Sequence, residues 1–94
     1  MVILVCERAT FFPKGLYTKR DIGEPSEIME KLSSKENAQF YIIGTEEFAK
    51  FVNSLTKRPT LYLGEEIKEE FKANFKYIIF KLGTDKFVVL EKQS

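Results

Sequence analysis

Gly44-Thr45-Glu46-Glu47 is where this chain has the most chemistry to offer. The β-rich run Tyr41-Ile42-Ile43 precedes it, and Phe48, Phe51, Val52 and Leu55 follow at the i, i+3, i+4, i+7 spacing of one buried helix face. A strand therefore breaks at a glycine into a helix N-terminus. The first N–H groups of a helix have no intrahelical acceptor, and a glycine lets the backbone come close to a ligand, so such junctions hold anions in many α/β proteins. Thr45 is a good N-cap, and the same residues read equally well as a capped helix and nothing more, because one glycine is not a nucleotide fingerprint.

The chain has no histidine, which removes the commonest general base, the usual zinc ligand and the Ser-His and Cys-His nucleophile pairs. Acid–base work would fall to glutamate, lysine, tyrosine or water, with Glu46 and Glu47 as the best-placed carboxylates. Acids in a first helical turn ordinarily complement the helix dipole, which keeps them ionised and makes them poor proton donors. Arg8, Lys57, Arg58 and Lys81 fall nearest the predicted carboxyl ends of strands or loop junctions, where a cation can meet an anionic ligand. Arg8 follows the first strand and is expected beside the Gly44-Thr45 turn, unless it pairs with Glu7 or Glu46. The stretch from Lys72 to Tyr77 mixes bases and aromatics as single-strand binders do, and its alternation also fits a strand with one wet face.

The elements that must position these residues can be read from pattern. Val2–Cys6 is continuous and largely β-branched, as expected of a central strand buried on both faces. Pro13 and Gly15 mark a loop or irregular ribbon, and Glu24-Pro25-Ser26-Glu27 opens a helix whose buried side is Ile28, Met29 and Leu32 and which ends at Ser33-Ser34. Gln39–Ile43 is the second strand, and residues 45–55 the second helix. A third strand is predicted over residues 58–63, with Pro59 at its start, and a short exposed helix over residues 65–72. Residues 75–82 and 87–91 are strands joined by the hairpin signal Gly83-Thr84-Asp85-Lys86. The expected fold is a single small α/β domain over residues 1–94. It has a mixed β-sheet with parallel central strands, two to three helices and a C-terminal antiparallel hairpin.

Composition narrows the partners. The chain has 94 residues, with 15 Lys and Arg against 14 Asp and Glu, so no global field draws it to duplex nucleic acid or an anionic membrane. Cys6 is the sole cysteine, which excludes an internal disulfide and any Cys-x-x-Cys motif; no metal and no cofactor are expected. The apolar start lacks a basic leader and no run approaches a membrane span, so a soluble, cytoplasmic protein is expected. A charged fraction of 31%, dominated by lysine and glutamate, is the composition of chains that fold at high temperature. Hydrophobic residues make up 44% of so small a chain, which favours a homodimer.

Along most of its length the chain resembles the small viral ring nucleases, anti-CRISPR proteins of archaeal viruses and phages that degrade cyclic tetra-adenylate. The resemblance rests on Glu7-Arg8-Ala9-Thr10-Phe11-Phe12-Pro13 after the first strand and on the helix of residues 27–32. It continues in Ile43-Gly44-Thr45-Glu46 through Asn53-Ser54-Leu55, in Arg58 before an alternating strand, and in Tyr77-Ile78-Ile79-Phe80-Lys81-Leu82. The family has Ile-Gly-His at the turn where this chain has Thr45, and a threonine cannot protonate a leaving oxygen as imidazolium does. The family's Arg-Leu segment and following glutamate are also absent, replaced by the compact hairpin. The resemblance implies a symmetric dimer in the host cytoplasm that binds a cyclic oligonucleotide on its two-fold axis, with weak or no cleavage, and so counters type III CRISPR signalling. The candidate ligand-binding residues are then Arg8, Ala9, Gly44, Thr45, Glu46 and Arg58. The alternative expectation is a non-enzymatic protein-interaction module that uses an exposed strand edge or the acidic segment after the third strand. A concave cationic cavity on the dimer axis would favour the first; a flat or acidic axis would favour the second.

Overall fold

A computed structural model describes residues 1–8, 15–66 and 75–93. In chain order the elements are β1 (Val2–Cys6), β2 (Tyr17–Gly23), α1 (Pro25–Ser33), β3 (Gln39–Ile43), α2 (Glu46–Leu55), β4 (Thr60–Gly64), β5 (Tyr77–Leu82) and β6 (Lys86–Lys92). All six strands join one sheet in the order β2-β6-β5-β1-β3-β4. β1 pairs in parallel with β3 on one side and β5 on the other, β4 adds in parallel to β3, and β5, β6 and β2 are successively antiparallel. The expected mixed sheet with β1 and β3 adjacent at its centre and an antiparallel C-terminal hairpin is therefore what the chain forms.

Period-2 alternation divides the apolar residues between the two faces. Ile3, Val5, Phe40, Ile42, Tyr77, Ile79, Phe87 and Val89 meet Ile28, Met29 and Leu32 of α1 and Phe48, Ala49 and Val52 of α2 in one buried cluster. Both helices thus cover the same face. On the other face Leu4, Cys6, Ile43, Phe75 and Ile78 are buried among the partly buried Val2, Tyr41, Leu63, Phe80 and Leu90. β1 is covered on both faces, which is why its sequence is apolar without interruption.

β2 is a strand that the sequence pattern did not announce. Its burial alternates weakly and it carries Lys19, Arg20 and Asp21, so only the ladder to β6 defines it, with a register shift between Lys19 and Asp21. The predicted helix over residues 65–72 falls mostly outside the described residues; Glu65 and Glu66, which are described, stand in no helix. The loop expected around Pro13 and the Lys72 end of the mixed basic–aromatic stretch also lie outside them. No helix among the described residues is long and apolar enough to cross a membrane.

Candidate functional site

At the carboxyl ends of β1, β3 and β4 the chain makes a small cavity of 220 Å³ lined by Glu7, Arg8, Gly44, Thr45, Glu65 and Glu66, with Ile43 beneath. Parallel pairing puts it there: Cys6 lies opposite Ile43 and Ile43 opposite Gly64, so the residues that follow each strand converge. The expected junction is real. Thr45 is the N-cap of α2, in extended conformation, and its hydroxyl accepts the Phe48 N–H at 3.1 Å.

The anion seat at this turn is already filled by the chain itself. The Thr45 N–H donates to Glu7 Oε2 at 2.7 Å, and the Gly44 N–H to the Gly64 carbonyl at 2.8 Å. Gly44, at φ +152°, is what allows this, since a Cβ there would stand 2.7 Å from Glu7 Cβ and 2.8 Å from Glu7 Oε2. Tyr62 closes the turn from β4 by donating its hydroxyl to the Gly44 carbonyl at 2.5 Å. A carboxylate at a helix N-terminus is stabilised by the same dipole and N–H donors that would hold a phosphate, so the two compete for one place.

The surrounding charge favours cations. The Tyr62 hydroxyl is pushed above the ordinary 10.0, first by desolvation and then by the negative charges of Glu65, Glu46 and Glu7. Three carboxylates thus act on a group hydrogen-bonded to the turn itself. Arg8 is at the cavity and exposed, the only cation lining it among the described residues.

Of the candidate residues, Arg8, Gly44 and Thr45 come together. Glu46 is exposed at the start of α2 and close enough to act on Tyr62. Ala9 lies outside the described residues. Arg58 does not belong to the site. It precedes β4 and so sits at the amino end of the parallel strands, where its Nε donates to the Ser33 carbonyl at 2.9 Å and its Nη2 to the Lys35 carbonyl at 3.2 Å. It is a cap on the C-terminus of α1, where a cation meets the negative end of the helix dipole. Lys57 is at the same amino end, in the loop between α2 and β4, so of the carboxyl end or loop junction expected for it the chain uses the loop junction.

Glu7, Tyr62, Glu65 and Glu66 are the residues that sequence reasoning did not place in the site. The one available signal was position: Glu7 directly follows the central strand, as Gly44 follows its parallel neighbour. A second concavity, of 320 Å³, lies between α1, β2 and β6 and carries Arg20, Lys31 and Lys35. Each cation there is already engaged. Lys31 bonds Asp21 at 2.9 Å and holds that carboxyl below its usual range, Arg20 meets Glu91 at 3.4 Å, and Lys35 lies over the Tyr77 ring. Among the described residues no group of three or more potential ligands is placed to hold a metal ion.

Comparison with known proteins found no match for this chain among family models, curated proteins or solved structures.

Proposed function

We propose that this chain is a non-enzymatic protein-interaction module whose acidic carboxyl-end surface and neighbouring β4 edge meet a partner. The observation that carries the reading is the Glu7 carboxylate on the Thr45 N–H, in a turn ringed by Glu46, Glu65 and Glu66. Among the described residues, a phosphate would have to displace one negative charge and approach three more, against one arginine. A cationic side chain from a protein meets that arrangement favourably. Catalysis of the ring-nuclease kind has no support in the residues at the turn, where Thr45 is committed to capping α2 and Glu7 to accepting the Thr45 N–H.

The cyclic-oligoadenylate reading keeps one specific point in its favour: Arg8, Gly44 and Thr45 do converge at one end of the sheet. On that reading Glu7 must swing away before the ligand enters, and a 220 Å³ cavity needs a second protomer to complete a pocket for a cyclic tetranucleotide. Incubation with labelled cyclic tetra-adenylate separates the two. The module reading expects neither retention on a gel nor a linear product at micromolar protein; retention or turnover would overturn it.

A further inference from the structure

We infer that the partner accepted by the β4 edge is a second copy of this chain, joined by antiparallel pairing of β4 with β4 about a two-fold axis. The inference rests on the interaction-module reading and names its partner. It begins from a difference between the two edges of the sheet. The ladder of each edge strand has a register shift, at Arg20 in β2 and at Leu63 in β4, so the difference lies in charge: β2 carries Lys19, Arg20 and Asp21, side chains that discourage strand addition. β4, at the other, reads Thr60-Leu61-Tyr62-Leu63-Gly64 with no charged side chain and with Leu61 51% and Tyr62 38% exposed. β4 has only β3 as a strand neighbour among the described residues, so its outer backbone groups offer a template for another strand.

The flanks of β4 identify that strand. Lys57-Arg58 precedes it and Glu65-Glu66 follows it. Antiparallel self-pairing sets the basic flank of each copy against the acidic flank of the other, twice by symmetry, whereas parallel pairing would set like against like. Arg58 is held within its own protomer by the Ser33 and Lys35 carbonyls, which leaves exposed Lys57 as the cation that reaches across. No foreign sequence is needed to supply the complement. Pro59 lacks an N–H and limits the ladder at its amino end, so the joint is short and the charge pairs extend it.

Such a dimer brings Lys57 of each copy to the mouth of the other's acidic cavity. It also sends the two cavities to opposite ends of the merged sheet, because β4 and its mate run in opposite directions.

Sedimentation velocity from micromolar to millimolar protein tests the joint. The wild type is expected to dimerise, with Lys57→Glu weakening association roughly tenfold and Glu65→Lys with Glu66→Lys doing the same. Combining Lys57→Glu with Glu65→Lys should restore the wild-type dissociation constant, since that pair of charges is then exchanged rather than lost. Leu61→Lys, which places like charges near the axis while leaving the flanks intact, should also give a monomer, and circular dichroism checks that each variant is folded. A wild type that stays monomeric at millimolar concentration, or a dimer indifferent to both single-sided reversals, overturns the inference. A monomer that still ignores cyclic tetra-adenylate would remove self-pairing alone. A dimer that follows the charge exchange yet retains the nucleotide would remove the module reading alone.

Discussion

At Gly44 a side chain and a carboxylate would compete for one volume. A Cβ would meet Glu7 Cβ at 2.7 Å and Phe48 Cδ2 at 3.0 Å, and the φ of +152° is one that other residues rarely adopt. Gly44→Ala should therefore cost about 1–3 kcal/mol in chemical denaturation, with Glu7 displaced from Thr45. Tyr62 reports the charge at the same turn. Its pKa is raised above 10.0, so the folded chain holds the neutral phenol more firmly than the unfolded chain does. That contribution is intact below pH 10 and is lost as the pH rises through the folded-state value. Glu7→Gln should bring the Tyr62 titration down, as read by tyrosinate absorbance against a Tyr62→Phe control. Thr45 as a cap was legible from its own neighbours, because capping is local. The role of Glu7 was not, since it depends on a parallel register joining residues 38 positions apart.

Helix α1 ends in carbonyls that need partners, and Arg58 donates to that of Ser33, its last residue, and to that of Lys35 just beyond it, across 25 and 23 positions. Arg58→Ala should lower stability by about 1–2 kcal/mol in denaturant titration and leave the carboxyl-end cavity unchanged. Its placement by sequence near the anion site failed for a directional reason. A residue before a parallel strand lies at the opposite end of the sheet from one that follows it. The strongly patterned elements were legible: β1 by its unbroken apolar run, α2 by its helical spacing and cap, and the β5–β6 hairpin by Gly83-Thr84-Asp85 between two apolar strands. β2 was not, because an edge strand with charged, mostly exposed side chains has no buried face to leave a pattern.

At the scale of the molecule, the mixed α/β sheet follows from the order of strands and helices, while the electrostatic character of its carboxyl end does not follow from a near-neutral composition of 15 cations and 14 anions. What matters is which charges the topology collects among the described residues: Glu7, Glu46, Glu65 and Glu66 from three separate segments, and Arg8. A homodimer built through β4 keeps the two acidic cavities apart, whereas a cyclic ligand on a two-fold axis requires them together. On the proposed reading the turn is occupied by its own carboxylate and serves as an acidic docking surface. The most direct test is calorimetric titration of cyclic tetra-adenylate into the wild type and into Glu7→Gln at low salt. No heat of binding is expected for the wild type, and weak binding, tighter by roughly tenfold or more, is expected once the charge on Glu7 is removed. Micromolar binding by the wild type that is unchanged or weakened in Glu7→Gln would contradict that reading.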